Sequence, residues 1–511
     1  MASNASRARG SGRPAELKGA GGWFRNAWIG LFVLAAALLA GTQIAFPNRR
    51  TLQVVAAGVL VAVALRVSSF TSLLLLVVAV PFPKATSYGG TTLAFVLLVF
   101  ILWTARLTLH MEKPAGRSVV DLPVVVLISA YLLGFSQFEA IEQLYPGLIN
   151  FFYTLTNIFL GYLLIHLTRT EKQLRQLVGA IVLMAVLVQL IAVFELVFPT
   201  RALIPGWIEL ASQSHMEYAR QGLEIVNVRV GGAFQDYELL AEFTAMILLL
   251  LWFLLMRALG TWARTGILAL LLLDTFVLLA TVTRGALISL AVAAAYLAWR
   301  TRRRIRFHVF VIGLALTLGT GSLILDFVAH HTRSGNVAER MEKTKFEGAI
   351  PENRVIVWAE AWDRILQRPL MGWGPYYAKQ EGVKQMYWPH NIYLMYWHML
   401  GILGLAAFLW LLWRLWRETG RASPHLGHPA YASSLLLALR AMLILFVVDE
   451  IKIDYLRNPT YSYWVWMFFG LIVVAGRIAK QEAPAVAASD EPASRSGRPR
   501  RLAAVSSVTA V

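Results

Sequence analysis

The 511-residue chain is 58% hydrophobic and only 15% charged, with a mean hydropathy of +0.59. Its apolar residues come in runs of membrane-spanning length, which excludes a soluble globular domain and, for want of short alternating segments, a transmembrane β-barrel. The net charge of +18 sits in short loops and tails beside those runs, as topology signals facing lipid rather than a nucleic-acid surface, and the absence of cysteine excludes disulfides, thiol nucleophiles and Cys-ligated metal.

In chain order, residues 1–26 are basic and rich in Gly, Ser and Ala, and read as a disordered cytoplasmic tail. The first apolar run, near 27–46, has too long a basic preamble for a secretory leader and is read as a retained helix. Further runs lie near 52–67, 69–82, 91–108, 119–136, 147–167, 175–198, 237–257, 265–282, 285–300, 308–327, 391–415, 432–448 and 461–477. The expected architecture is an all-α polytopic membrane protein of about 14 helices. It forms a single transmembrane domain over 27–478, followed by a second disordered cytoplasmic tail over 479–511. The basic loops, among them 111–117, 168–175 and 300–306, alternate so that both termini face the cytoplasm, with Arg49 and Arg50 the awkward outward pair.

Two outward loops stand apart by length, 199–236 and the large one over 328–390 between the eleventh and twelfth spans. Long connections in compact membrane domains tend to be functional. The outer face also carries Arg220, Arg229, Arg284, Arg333, Arg340 and Arg354, against the positive-inside bias. Guanidinium groups converging on one cavity grip phosphate oxygens bidentately and would hold a diphosphate. The competing reading pairs each with an outer carboxylate such as Asp236, Glu238, Asp449, Glu450 or Asp454. Pairing is preferred for Arg220, Arg333 and Arg340, and ligand binding for Arg229 and Arg284, which abut span ends.

Asp236 reads as a helix N-cap. Glu238 and Glu242 share one helix face at the membrane boundary, where they either pair or bind substrate. His390 is the candidate catalytic residue. Pro389 forces an extended approach and a helix begins near Asn391, so the imidazole sits at a helix N-terminus among arginines. That environment keeps the ring neutral and able to accept a proton from an incoming hydroxyl. Gly372 and Gly374 shape a turn, since no P-loop lysine follows. Trp358, Trp362, Trp373 and Trp388 either form an interfacial belt or stack on sugar rings. No H-x-x-x-H or H-E-x-x-H occurs, so no metal site is expected, nor any cofactor.

The ordered motifs R-x-x-G-x-F (Arg229 to Phe234), T-R-G-A (Thr283 to Ala286), R-x-x-x-W (Arg354 to Trp358), P-L-x-G-x-G (Pro369 to Gly374), and H-N-x-Y-L followed by G-x-x-G (His390 to Leu394, Gly401 to Gly404) resemble the O-antigen ligase and Wzy-type polymerase superfamily. The resemblance covers roughly 225–415. It departs at Thr283, where serine is commoner, and at Asp236, Tyr237 and Glu238, where the family reads asparagine after F-x-x-P; the family's roles are not carried to those three.

The resemblance implies a GT-C-like, metal-independent, inverting glycosyltransferase at the periplasmic face of the bacterial inner membrane. Its donor would be a glycan on undecaprenyl diphosphate. His390 corresponds to the family's essential histidine and would deprotonate the acceptor, while Arg229 and Arg284, with Arg354, bind the diphosphate. Asn391, Glu238 and Trp358 are supporting candidates. The acceptor is either a second lipid-linked glycan (polymerase, slightly preferred from the span count) or lipid A-core (ligase). A flippase and a chain-length regulator are implied partners, and nucleic acid is not. A transporter or lipid flippase is the alternative class, with Glu195, Glu242 and Asp274 as intramembrane coupling residues.

Overall fold

The computed structural model describes residues 68–81, 90–113, 116–198, 229–258, 260–301, 346–347, 350–375, 389–422 and 430–489. The expected spans near 27–46, 52–67 and 308–327, the N-terminal tail, Trp388, Arg220, Arg333 and Arg340 lie outside them.

The remaining apolar runs are all helical. They form α1 (Ser69–Ala79), α2 (Gly90–Thr108), α3 (Asp121–Gly134), α4 (Leu144–Leu167), α5 (Glu171–Val197), α6 (Tyr237–Arg257), α7 (Thr261–Ala280) and α8 (Arg284–Thr301). After a minimal antiparallel pair, β1 (Phe346–Glu347) with β2 (Ile350–Pro351), come α9 (Glu352–Gln367), α10 (Ile392–Thr419), α11 (Tyr431–Asp449) and α12 (Pro459–Ser489). Seven of the described helices are long and apolar enough to cross a membrane, while α1 is an apolar helix too short to do so. Large side chains such as Leu183, Leu190, Ile288 and Trp299 are more than half exposed on these helices, as lipid-facing positions require.

Two boundaries differ from expectation. Helix α12 runs on to Ser489, past the expected end of the transmembrane domain at 478, through an alanine-rich stretch. The long 328–390 segment contains α9, an amphipathic helix that buries Ala361 and Ile365. A search for membrane-length apolar runs passes over a helix with one polar face.

At the centre is α12, buried almost throughout from Thr460 to Ala479. It packs on α4, where an added Cβ at Gly470 would sit 2.9 Å from the Gly161 carbonyl oxygen. Lipid supplies no hydrophobic force between helices, so such close backbone approach is what holds them. Helix α10 packs on α3, α11 on α8 and α6, and α6 on α7.

Helix α10 is broken at Gly401, with φ 66° and ψ −167°. The Pro369–Gly374 segment fills the break with backbone. Trp373 N donates to the His398 carbonyl at 2.9 Å, Gly374 N to Met399 at 2.9 Å, and Ile402 N to Pro369 at 2.9 Å. Irregular backbone at this depth is tolerated only when its polar groups are met by protein. Three glycines make the approach sterically open: Gly401 (an added Cβ would fall 2.0 Å from Leu370 O), Gly372 and Gly374. The P-L-x-G-x-G and G-x-x-G motifs are thus two halves of one lock, which fixes the helix that follows His390.

Candidate functional site

Three helices begin close together, and each is preceded by a non-glycine residue in the left-handed region: Gln235 (φ 54°) before α6, Val282 (φ 53°) before α8 and His390 (φ 47°) before α10. Such backbone is costly for L-residues and persists where the surroundings impose it, as at functional sites. Arg229 ties the first two starts together. Its Nε donates to Thr281 O at 3.2 Å and its Nη2 to Thr283 Oγ1 at 3.3 Å, and the guanidinium lies 3.1 Å from the Tyr237 ring centroid. Arg284 opens α8 next to that turn. The stem of Lys452 crosses directly over Gly285, where a Cβ would meet Lys452 Cε at 1.7 Å, and Lys452 Nζ pairs with Asp449 at 3.0 Å.

Asp236 caps α6, accepting from Glu238 N at 2.9 Å and Leu239 N at 3.1 Å. Asn391 caps α10 in the same way, accepting from Tyr393 N at 3.0 Å and Leu394 N at 3.1 Å. Its side-chain oxygen is therefore committed to the helix start. Trp358 Nε1 donates to Pro389 O at 2.9 Å, and Ile392 N donates to Glu450 O at 3.0 Å, so the His390 backbone is held from both sides.

Glu238 is the hub. Its Oε1 accepts from Arg354 Nη2 at 3.2 Å, its Oε2 from Arg457 Nη2 at 2.9 Å, and Oε2 lies 4.0 Å from His390 Nδ1. Arg457 continues the network, with Nη2 2.8 Å from Asp236 and Nη1 2.7 Å from His390 Nδ1. Burial and the adjacent Arg354 and Arg457 push the His390 pKa down to about 3, against a smaller opposing pull from Glu238. The ring is neutral at physiological pH. Burial raises the Asp454 carboxyl to about 6 despite Arg457.

Arg229, Glu238, Arg354 and His390 thus meet around the starts of α6, α8 and α10, with Arg284 opening α8. Asn391 and Trp358 stand next to them in structural roles. Of the two readings left open for Glu238, pairing is what the geometry displays. Arg457 and Lys452 were missed by sequence reasoning. The signal was there, in the charged connection DEIKIDYLRNP between two spans, but it matches no motif.

The carboxylates considered for transport are engaged elsewhere. Glu195 Oε2 accepts from Gly231 N at 3.0 Å and Gly232 N at 2.6 Å, Glu242 accepts from Tyr461 at 2.8 Å, and Asp274 accepts from Gln189. Of the tryptophans, Trp373 Nε1 bonds Arg364 O at 3.0 Å under the Arg368 guanidinium, and Trp362 packs edge-on against Trp397. Among the described residues no group of three or more His, Asp or Glu could hold a metal ion.

Residues 267–409 match the family model described as O-antigen ligase. The resemblance to the O-antigen ligase and Wzy-type polymerase superfamily therefore stands. The match takes in Arg284, Arg354, Trp358, His390, Asn391 and both halves of the glycine lock; Arg229, Glu238 and Arg457 fall outside it. The matched stretch is similar to that family, and the seven membrane-length helices support a multi-pass membrane protein. No curated protein matches the chain.

Proposed function

We propose that the chain transfers a glycan from undecaprenyl diphosphate to a hydroxyl acceptor at the periplasmic face of the bacterial inner membrane, with both termini in the cytoplasm. The observation that carries this reading is the meeting of cations and helix N-termini around one neutral histidine. Helix starts present a positive dipole end, which together with converging guanidinium groups suits a diphosphate. Arg354 Nη1 is buried with no hydrogen-bond partner among the described residues, although Nη2 is paired. A buried donor left over in this way is a ready contact for phosphate oxygen.

In this reading Arg229, Arg284 and Arg354 bind the diphosphate and stabilise charge as it departs. His390 is the catalytic residue and touches the reacting oxygens through Nε2. Inversion at the anomeric carbon follows from a single displacement, and no metal is called on. The number of apolar runs favours a polymerase, which joins one lipid-linked glycan to another; the description of the matched family model favours ligation to lipid A-core. A flippase that delivers the donor and a chain-length regulator are the proposed partners.

The test is to delete the gene, complement it with wild type or His390→Ala, and compare surface polysaccharide with lipid A-core on gels. Loss of long polymer while single units still reach the core identifies a polymerase. Bare core with polymer accumulating on the lipid carrier identifies a ligase. Full complementation by a folded His390→Ala protein would overturn the catalytic assignment.

A further inference from the structure

Arg457 lies outside every motif that pointed to the site, yet it touches the catalytic ring. Its side chain is only 9% exposed. The short turn that carries it, Tyr455–Arg457, is fixed against the Gly232–Phe234 turn by Asn458 Nδ2 donating to Phe234 O at 2.6 Å. Asp236 and Glu238 then hold one face of the guanidinium at 2.8 Å and 2.9 Å, which directs Nη1 at His390 Nδ1, 2.7 Å away.

The direction of that last bond is fixed by chemistry. A guanidinium has donors only and keeps its charge in proteins, so Nδ1 must be the acceptor. A neutral imidazole has one lone pair and one N–H; with the lone pair at Nδ1 engaged, the proton resides on Nε2. The other tautomer, or an imidazolium, would set N–H against N–H. The charged groups facing the ring are Arg354, Arg457 and Glu238, and Glu238 is already shared by the two arginines.

We infer that Arg457 is a positioning residue that fixes His390 as the Nε2–H tautomer, so that the ring meets the substrate as a hydrogen-bond donor rather than as a base. The chemical consequence rests on the transfer reading above. The acceptor hydroxyl oxygen attacks the anomeric carbon, the bond from that carbon to the diphosphate breaks, and its electron pair goes to the phosphate oxygen. Nε2–H donates to that oxygen as its charge grows, and the hydroxyl proton ends on the diphosphate product. The balance closes with no residue changing its protonation state. Neutral imidazole is suited to such electrophilic work when its pKa is held low.

The test uses the full-length protein in lipid nanodiscs, labelled with 15N-histidine, with the His390 signals identified by their loss in His390→Ala. The expected spectrum has Nδ1 unprotonated and Nε2 protonated near neutral pH. Arg457→Lys, which keeps a charged donor, preserves that pattern. Arg457→Leu gives mixed tautomers and lowers kcat by about 10²–10³ while the donor KM changes little. A protonated Nδ1 in the wild type, or a folded Arg457→Leu with an unchanged tautomer, overturns the inference. If Arg457→Leu does not fold, the wild-type and Arg457→Lys spectra decide.

The two readings fail separately. A wild-type protein with Nε2–H but no glycan transfer refutes the transfer reading and leaves the tautomer assignment standing. Transfer with Nδ1–H does the reverse.

Discussion

Arg354 reaches the site through Glu238: its Nη2 donates to Glu238 Oε1 at 3.2 Å, while the other oxygen of the same carboxylate holds Arg457 at 2.9 Å. One carboxylate therefore sets the position of two cations that come from α9 and from the turn before α12. Glu238→Gln keeps the shape but removes the charge that balances them. The expected outcome is a folded protein with glycan transfer reduced by about 10²-fold, since an unmatched cation shifts away from its aligned position. Transfer assays on the purified variant, with its melting transition measured in parallel, check this.

Asn391 sits next to His390 but serves as a helix cap. Asn391→Ala is expected to cost about 1 kcal/mol of stability, and Asn391→Ser to restore most of it because serine caps equally well. Transfer activity should follow the same order. If Asn391→Ser were inactive while as stable as wild type, the side chain would be contacting substrate.

Gly401→Ala introduces a Cβ 2.0 Å from Leu370 O at a φ of 66°. The left-handed strain and the overpacking together are expected to cost about 2–6 kcal/mol. The lock between the Pro369–Gly374 segment and α10 would open, with loss of monodisperse protein on size exclusion. Gly260→Ala, at a position with no heavy atom within 4 Å, is the control expected to behave as wild type.

The pH dependence follows from His390. Its folded pKa, about 3, lies below the ordinary 6.5, so between these values the unfolded chain binds a proton that the folded chain does not. The ring's contribution to stability is therefore complete above pH 6.5 and is lost as the pH falls through that window. Asp454, raised from 3.8 to about 6, acts in the opposite sense over part of the same range, so activity is the cleaner readout than stability. The profile of kcat/KM for transfer should show no acid limb near 6.5. A limb there that persists in Asp454→Asn would mean that the ring titrates in the free enzyme.

Much of the architecture was legible from hydropathy alone. Membrane-length apolar runs have few folded options, because every backbone polar group in lipid must be paired within the segment, and helices follow. The starts of α6 and α10 were equally legible, since Asp236 and Asn391 act through neighbours two and three residues along the chain. The hidden helix α9 was not, because its amphipathic pattern resembles an ordinary polar loop to a search tuned for lipid-spanning runs.

The sequence by itself determined the helical membrane class, the family resemblance and the prominence of Arg229, Arg284, Arg354 and His390, because these reside in local motifs and in composition. Only the tertiary structure decided that Glu238 is shared by Arg354 and Arg457, that the two glycine motifs close on each other across a broken helix, and that Arg457 rests on His390 Nδ1. Those relationships join segments far apart in the chain, up to the 219 residues between Glu238 and Arg457, and a side chain's partners at that separation are set by how the helices pack, not by its neighbours in sequence.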